Sequence, residues 1–319
     1  MKNLEFQVAQ ALKSIARNQQ IKSFIQQSSE LYPLLLKVAK RFVAGEKKQE
    51  GIEIANELIS KGYFVSLEYI GENTTNLEEC IKAKDEFLSL IEEMGSISMK
   101  QTVSLDLSHI GLSVNPDLAF DHLLEIAKKA KQYEITVMIS MEESSKTDAI
   151  LDIYKKTTEQ YPNVGITLQA HLYRSRNDFQ ELIHYPGRIR AVKGAYQESA
   201  EIAMPRSMEL NHRYLEFVEE LIEANHPVSI ATHDEVLVQE IQQRQYLDYP
   251  NVEIEMLYGI RSDLLRDLKN NEHNCKVYLT YGQEWYLYLC HRIAEYPENL
   301  YFAVTDMICS SLTKRSGLY

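Results

Sequence analysis

The sequence predicts an α/β fold, a closed (β/α)8 barrel of the TIM type that follows an N-terminal helical arm. Three observations predict this class. Short apolar runs rich in β-branched residues alternate with amphipathic helical stretches. Consecutive runs begin roughly 23–40 residues apart, which is the length of one βα unit. About eight such units follow one another without a Pro-, Gly- or Ser-rich linker, which favours a closed parallel barrel over an open doubly wound sheet.

Residues 1–47 are predicted to form the arm, because apolar side chains recur there at helical spacing. The apolar positions on its helix faces are Phe6, Ala9 and Leu12, followed by Leu34, Leu35, Val38 and Phe42. Residues 48–319 are predicted to form the barrel as a single domain, since no linker divides them.

Eight runs within residues 48–319 are predicted to be the barrel strands. In chain order they are 63–70, 102–107, 135–140, 164–169, 188–193, 227–232, 252–257 and 275–280. Amphipathic helices are predicted between several of them, at 77–94, 117–132 and 207–224. The apolar stripe of the last helix consists of Leu210, Tyr214, Phe217 and Leu221.

The bulk composition excludes several classes of protein. The 319 residues carry a formal net charge of -12, which disfavours a nucleic-acid partner because phosphate binding needs a basic face. The four cysteines (Cys80, Cys275, Cys290 and Cys309) are widely spaced, so neither a metal site nor a disulfide framework is expected. The sequence contains no signal peptide and no apolar run of about 18 residues, so we expect a cytoplasmic location.

Polar side chains stand at nearly every predicted strand end. They are Glu68 and Glu72, Asp106 and His109, Glu142 and Glu143, Gln169 and His171, Arg190 and Lys193, Thr232 and His233, Glu255 and Tyr258, and Tyr278. Active sites of such barrels lie at these ends, so the pattern indicates an enzyme. By position alone, Arg190 is equally consistent with a structural salt bridge, and Lys193 with a Schiff-base lysine. His233 alone is more typical of a satisfied core histidine.

The segment RIRAVKGAYQES at 188–199 resembles the fifth strand of the proline dehydrogenase family, which typically reads R-L-V-K-G-A-Y. Other segments resemble that family in the same order along the chain. They are FVSLEYIGE at 64–72, GITLQAHLYR at 165–174, ATH at 231–233, EMLYGIR at 255–261, where the family reads Q-M-L-Y-G-I-R, and YLYLCHRIAEYPENLYF at 286–302. The resemblance covers residues 60 to about 305, which is the whole predicted barrel.

The resemblance implies a flavin-binding catalytic domain that oxidises L-proline to 1-pyrroline-5-carboxylate by hydride transfer to the N5 atom of FAD. The residues implied to bind FAD are Gln169, Arg190, Lys193, Gly194, Ala195, Thr232 and His233. Arg190 is expected beside N5, where a guanidinium stabilises the negative charge that arrives with the hydride. Gly194 and Ala195 leave room for the cofactor's phosphates near the backbone. A quinone-type electron acceptor is also implied, and with it peripheral contact with the inner face of the membrane.

The resemblance also implies a substrate site, and there the chain departs from the family. The expected residues are Asp106, Ser140, Leu257, Tyr278, Tyr288, His291, Arg292 and Glu295, with Arg190, Tyr278 and Arg292 as the catalytic ones. The family clamps the substrate carboxylate with two adjacent arginines and a lysine, but here the arginine pair is His291–Arg292 and the lysine position is Asp106. Ser140 replaces a family aspartate. Glu295 follows Arg292 by one helical turn, where it can orient the guanidinium.

The sequence alone leaves more than one function open. Asp106 near a substrate carboxylate is repulsive, which points to the same flavin chemistry on a larger or cationic secondary amine or amino acid. If Asp106 pairs instead with His291 or Arg292, proline remains the substrate. A barrel that has lost catalysis and acts as a binding protein is also compatible with the sequence, and so is an aldolase-like barrel that uses Lys193.

Overall fold

A computed structural model describes residues 18–295 and the single positions 7, 11, 12, 14, 15, 299, 301, 305 and 319. Phe6, Ala9 and Cys309, which the sequence analysis singled out, lie outside the described residues. In the part of the chain that is described, no helix has both the length and the apolar character needed to span a bilayer. Nor does any group of His, Cys, Asp or Glu side chains in this part have the arrangement of a metal site.

Eight parallel strands form the closed barrel that the sequence predicts. They are β1 (Phe64–Tyr69), β2 (Thr102–Leu105), β3 (Thr136–Ile139), β4 (Val164–Gln169), β5 (Ile189–Val192), β6 (Val228–Ala231), β7 (Val252–Leu257) and β8 (Cys275–Tyr281). Each strand pairs with the next in the sequence, and β8 pairs with β1 to close the sheet. The predicted fold class is confirmed, and the predicted strand ends differ from the observed ones by two residues at most.

Helices precede the barrel and follow its strands. They are α1 (Gln19–Gln27), α2 (Leu31–Ala39), α3 (Lys48–Ser60), α4 (Leu77–Ser96), α5 (Pro116–Gln132), α6 (Thr147–Thr158), α7 (Ser175–Leu182), α8 (Met208–Glu223), α9 (Glu235–Gln243), α10 (Ser262–Asn270) and α11 (Trp285–Glu295). Short polar side chains begin four of the helices that follow a strand: Asn76, Asn115, Ser207 and Asp234 each accept a hydrogen bond from a first-turn N–H. These caps fix where each loop after a strand ends.

The apolar faces of the helices bury the outer wall of the barrel. The predicted stripe of α8 is fully buried, from Leu210 to Leu221, and Phe217 stacks on Phe179 of α7 at 4.7 Å between ring centres. Hydrophobic burial between helices and strands therefore holds the cylinder together, as in other barrels of this class.

The inside of the barrel is polar and built in layers. In the lower layer, Lys276 of β8 lies 2.5 Å from Glu253 of β7, and Ser229 of β6 also donates to Glu253. In the next layer, toward the strand ends, Arg190 of β5 pairs with Glu255 of β7. Because side chains two residues apart on a strand share a face, the layer above contains the residues at the mouth.

The N-terminal arm packs against α11, the helix that carries His291 and Arg292. Val38 and Phe42 of the arm are completely buried, in one cluster with Trp285 and Leu289 of α11. The Tyr32 ring meets the Trp285 ring edge-on at 5.3 Å between centres. The arm therefore fixes the helix on which part of the expected substrate site lies, while the division at residue 47 stays a prediction.

Candidate active site at the mouth of the barrel

Strand β5 places Arg190 inside the barrel, with 4% of the residue exposed. Its Nε and Nη2 atoms donate to the two carboxylate oxygens of Glu255, at 3.0 and 2.9 Å. Nη2 also donates to Ser104 Oγ at 2.8 Å, and the Tyr278 ring centre lies 4.9 Å from the guanidinium carbon. The guanidinium is thus held on three sides, and its Nη1 atom makes no hydrogen bond to any described residue.

Glu255 is among the strand-end polar residues named from the sequence, but no cofactor or substrate role was predicted for it. It is 2% exposed and forms a two-point ion pair with Arg190, so the buried pair has no net charge. The signal that could have revealed it is one letter in the β7 motif, where this chain has glutamate in place of the family glutamine. Its pairing with Arg190 was not predicted, because the two residues lie 65 positions apart in the sequence and meet only inside the closed barrel.

Lys193 follows β5 and forms an ion pair with Asp234, the N-terminal cap of α9. Its Nζ atom lies 2.6 Å from Asp234 Oδ2 and 3.1 Å from Asn211 Oδ1. Burial opposes ionisation of Asp234, but the contact with Lys193 outweighs it and lowers the pKa of that carboxyl. A Schiff base requires a neutral amine, so this ion pair disfavours an aldolase-like function.

Gly194 adopts φ +113, a backbone conformation that glycine accepts readily. A side chain there would collide with the imidazole of His171, at the end of β4. Arg206 donates to the Gly194 carbonyl oxygen, and Ala195 is exposed beside it. The contact with His171 therefore gives a second reason for glycine, in addition to the predicted space for phosphates.

His171 is 5% exposed, and neither ring nitrogen has a hydrogen-bond partner among the described residues. Burial, with a smaller effect of Arg206, lowers the pKa of this imidazole. A neutral ring offers one donor and one acceptor. A ligand that bonds to it would remove the free-energy cost of burying it unpaired.

The other predicted cofactor residues cluster around the same strand ends. Gln169 Nε2 donates to the Glu142 carbonyl oxygen at 2.9 Å, and Thr232 Oγ1 accepts from the Asp234 N–H at 3.1 Å. His233 Nε2 accepts from the Leu257 N–H at 3.0 Å. Burial first, then Arg292, lowers the pKa of His233 to about 3, so the ring is neutral and Nδ1 holds its proton.

Carboxylates crowd the opposite side of the mouth, at the ends of β1, β2 and β3. Glu68 is 7% exposed and Glu142 is 1% exposed. Glu142 is well bonded, because it accepts from the Ser108 N–H at 2.9 Å and pairs with Lys146 at 2.7 Å. Burial, then the charges of Glu68 and Glu142, raises the pKa of Asp106 well above its ordinary value. Burial also raises the pKa of Glu68, to about 8.

The remaining predicted substrate residues lie on β3, β7 and α11. Ser140 follows β3 and donates its N–H to the Leu105 carbonyl oxygen at 2.9 Å, and Leu257 ends β7 partly exposed. On α11 the Arg292 guanidinium carbon lies 4.8 Å from the Tyr288 ring centre, and His291 is half-buried. Arg292 acts electrostatically on Glu68 and His233, so it belongs to the mouth. The predicted Glu295 ends α11, and its side chain lies outside the described part of the chain.

These residues fit a flavin. The ends of β4, β5 and β6 provide the open Nη1 atom of Arg190, the Nδ1–H of His233 and the unpartnered imidazole of His171. Arg206 adds positive charge at the loop after β5, beside the ion pair of Lys193 with Asp234, and a cation there suits a cofactor that carries phosphates. Both the donor set and the orphaned histidine therefore favour a polar, anionic ligand on this side of the mouth.

Comparison with known proteins agrees with this geometry. A sequence model of the proline dehydrogenase family matches residues 52–303. Proline dehydrogenase 2 of Bacillus subtilis is 30% identical over 272 residues, which is 84% of this chain and 90% of that protein. Proline dehydrogenase of Deinococcus radiodurans is 31% identical over 306 residues, which is 93% of this chain and 97% of that protein.

Solved structures support the same fold. Proline utilization A from Bdellovibrio bacteriovorus, inactivated by N-propargylglycine, superimposes with a TM-score of 0.78 at 18% identity. The match covers 92% of this chain and 37% of that one. For proline utilization A of Bradyrhizobium japonicum the TM-score is 0.67 at 16% identity, over 95% of this chain and 40% of that one. The chain thus spans about two fifths of those longer proteins. From the family match and the similarity over nearly the full length of its relatives, the chain belongs to the proline dehydrogenase family of FAD-dependent oxidoreductases.

Proposed function

We propose that this chain oxidises L-proline to 1-pyrroline-5-carboxylate with FAD as hydride acceptor. The carbon next to the ring nitrogen loses a hydride, the nitrogen loses a proton, and a C=N bond forms. When bound, FAD would supply the redox chemistry, as acceptor of the hydride at N5. The observation that carries the proposal is the buried Arg190 guanidinium, which is fixed by Glu255, Ser104 and Tyr278 while Nη1 keeps its donors.

The residues of the mouth have separable roles. Arg190 offers a preorganised donor in a site of low dielectric constant, where stabilisation of negative charge is strongest. Lys193 and the β5 loop bind the phosphate-bearing part, and His171 and His233 complete the hydrogen bonds. On the other side of the mouth, the Arg292 guanidinium of α11 can orient a substrate carboxylate. Tyr278, Tyr288 and Leu257 would pack against the substrate ring.

An absorption spectrum and a reduction experiment test the proposal. The purified protein should be yellow, and anaerobic L-proline should bleach the flavin bands. Arg190→Met should weaken FAD binding or slow reduction by about 100-fold, because a preorganised donor is lost. Arg188→Met, two residues earlier on the same segment, is the matched control and should leave reduction unchanged. Unchanged kinetics in Arg190→Met would remove this residue from the N5 role, and a colourless protein that does not take up FAD would contradict the proposal.

A second candidate is the same flavin chemistry on a larger or cationic secondary amine. Asp106 favours it, because this carboxyl stands where the family has a lysine and adjoins the buried Glu68. A panel of cyclic and cationic amines, compared with L-proline as reductants of the bound flavin, separates the two candidates. A protein that binds FAD but is reduced by no amine would favour a third candidate, a binding protein without catalysis.

We also propose a quinone-type electron acceptor, as the family resemblance implies. In the absence of oxygen, a short-chain quinone should reoxidise the reduced protein fast enough to sustain turnover. In a separate aerobic experiment, dissolved oxygen should reoxidise it much more slowly. Peripheral membrane contact belongs to this proposal, and co-sedimentation with anionic lipid vesicles tests it. Equal rates with quinone and oxygen would contradict a dedicated quinone site.

A further inference from the structure

We infer that Glu68 accepts a proton from the ring nitrogen of L-proline during its oxidation. This inference rests on the proposed function and deepens it, because it names where a proton of the substrate goes. A secondary amine such as proline is protonated at neutral pH, and a hydride can leave the neighbouring carbon only when the nitrogen has a free lone pair. The reaction therefore needs a base inside the mouth of the barrel.

Strand β1 places Glu68 on the inner wall of the mouth, above Arg190. Ser66 faces the interior two residues earlier, and its Oγ atom lies 3.4 Å from Arg190 Nη2. Because side chains two residues apart on a strand share a face, the Glu68 carboxyl points into the space above the guanidinium. From α11, Arg292 also acts on this carboxyl through its charge.

This position between two arginines matches the position of the nitrogen in proline. Arg190 is proposed to lie beside the flavin, and Arg292 is proposed to orient the substrate carboxylate. The ring nitrogen is bonded both to the carbon that carries the carboxylate and to the carbon that loses the hydride. A proline bound between the two cations would therefore bring its nitrogen close to Glu68.

The Glu68 carboxyl makes no hydrogen bond or ion pair with any residue in the described part of the chain. Only 7% of the residue is exposed, although buried carboxylates are normally paired. The substrate ammonium would supply the missing donor. A carboxylate that no other group occupies can then take the proton of this donor.

Two other candidate bases at the mouth are already engaged. Glu142 accepts from the Ser108 N–H at 2.9 Å and pairs with Lys146 at 2.7 Å. His233 accepts from the Leu257 N–H through Nε2, so its other ring nitrogen carries the proton. Neither group has a lone pair as accessible to the substrate as that of Glu68.

The surroundings of Glu68 increase its basicity. The charged and titratable groups that face it are Glu72 after β1, Asp106 after β2, Glu142 after β3, Arg190 on β5 and Arg292 on α11. Burial raises the pKa of Glu68 to about 8, against the opposing charge of Arg190. A carboxyl with this pKa takes a proton from an ammonium more readily than an ordinary carboxyl does. Burial, then the charge of Glu68, also raises the pKa of Asp106, so Asp106 favours its neutral form and repels a substrate carboxylate less.

The protons and electrons of the reaction balance. Glu68 takes one proton from the ring ammonium, which frees the nitrogen lone pair. As the hydride leaves the neighbouring carbon for FAD, the lone pair forms the C=N bond. The remaining N–H proton and the proton on Glu68 then pass to water, so two electrons leave with the hydride and two protons reach the solvent.

The pH dependence of flavin reduction in the wild-type protein gives a first test. With L-proline, the second-order rate constant should rise with pH and level off above about pH 8, because Glu68 must be ionised to accept the proton. A rate that is independent of pH around this value, or that keeps rising to the pKa of the free amine, would overturn the inference. This test needs no variant.

Glu68→Gln keeps the shape of the side chain but removes the proton acceptor. At pH 8 the change should slow reduction by L-proline about 100-fold. 4,4-Difluoro-L-proline is the comparison substrate, because its fluorines bring the pKa of the amine close to neutrality and most of it arrives without the extra proton. The change should slow its reaction by less than about fivefold. Equal slowing with both substrates would contradict the proton transfer.

Two controls separate a proton acceptor from a structural residue. Glu143→Gln changes a more exposed rim carboxyl that pairs with Lys146, and it should leave both rates unchanged. Tetrahydrofuran-2-carboxylate has an ether oxygen in place of the ring nitrogen, and calorimetry measures its binding to the FAD-loaded protein without flavin reduction. Its affinity should be the same in Glu68→Gln and in the wild type. Weaker binding in the variant would show that Glu68 shapes the pocket and would contradict the inference.

The outcomes also distinguish this inference from the proposed function. If L-proline bleaches the wild-type flavin and Glu68→Gln slows only the protonated substrate, both hold. If L-proline bleaches both proteins equally fast, the oxidation stands and Glu68 is not the proton acceptor. If L-proline does not bleach the wild-type flavin, the proposed oxidation is wrong, and the inference fails with it.

Discussion

At the scale of single residues, Arg190 and Glu255 would determine how much positive charge a flavin meets in the proposed site. The family motif has a neutral glutamine at position 255, whereas this chain has a carboxylate bonded at two points to Arg190. A carboxylate in direct contact with the guanidinium offsets most of its charge at any atom beyond the pair. Glu255 is therefore expected to tune the flavin through Arg190 without touching it.

Glu255→Gln should make the bound flavin easier to reduce and more receptive to anions. Sulfite, an anion that adds to oxidised flavins, should bind about tenfold more tightly or better, since one charge removed within a few ångströms corresponds to at least about 1.4 kcal/mol. Glu253→Gln removes a similar buried carboxylate one layer lower and should leave sulfite affinity within about threefold. Equal sulfite affinity in Glu255→Gln and the wild type would contradict this role.

Glu68 should make stability depend on pH. Its pKa is about 8 in the folded protein and 4.5 ordinarily, so the folded state binds more protons than the unfolded state between these values. Stability therefore falls as pH rises through this window. Glu68→Gln should remove the effect and raise the melting temperature of the FAD-loaded protein by a few degrees at pH 9, with little change at pH 5. A variant that melts with the wild type at both values would contradict the raised pKa.

At the scale of elements, α11 and the arm form one unit. The arm side chains Val38 and Phe42 lie in the same buried cluster as Trp285 and Leu289, which precede Arg292 on α11. The helical spacing of the arm could be predicted in part: Val38 lies on α2, but Phe42 lies in the turn after α2 and not on a helix face. The docking partner of the arm could not be predicted, because Tyr32 and Trp285 are 253 residues apart in the sequence. The strands could be predicted because their β-branched runs are local signals in the sequence.

Phe42→Ala should loosen α11 as well as the arm. Removing a fully buried phenylalanine costs about 3–5 kcal/mol where the surroundings do not collapse. Hydrogen exchange should therefore increase in residues 285–295 as well as in residues 31–43. Phe24→Ala, in the same arm but 65% exposed, is the control and should change neither segment. Increased exchange confined to the arm would contradict the coupling.

At the scale of the whole molecule, two stacked ion pairs cross the interior of the barrel. Arg190 with Glu255 lies above Lys276 with Glu253. The upper pair joins β5 to β7, with β6 between them, and the lower pair joins the neighbouring strands β7 and β8. The sequence showed these charges in strands but not their partners, since pairing inside a cylinder depends on register. The polar residues at the strand ends could be located from the sequence, and the hydrogen bonds and ion pairs between them could not.

Lys276→Met should test the lower pair. The change leaves Glu253 buried with only the more distant Arg188 at 3.5 Å as a cation among the described residues, so unfolding should become easier by about 3–5 kcal/mol. Lys100→Met, which breaks an exposed pair with Glu134, should change the free energy of unfolding by less than about 1 kcal/mol. Denaturant titrations measure both. Equal effects of the two changes would contradict a buried, low-dielectric interior.

The ends of β4, β5 and β6 are proposed to hold FAD with Arg190 beside the isoalloxazine ring. A crystal structure of the protein grown with FAD tests this most directly. The ring should lie in the mouth of the barrel, in contact with Arg190, with His171 bonded to the cofactor and the phosphates near the loop after β5. A mouth filled by its own side chains or by a metal ion, or a flavin bound elsewhere, would contradict it.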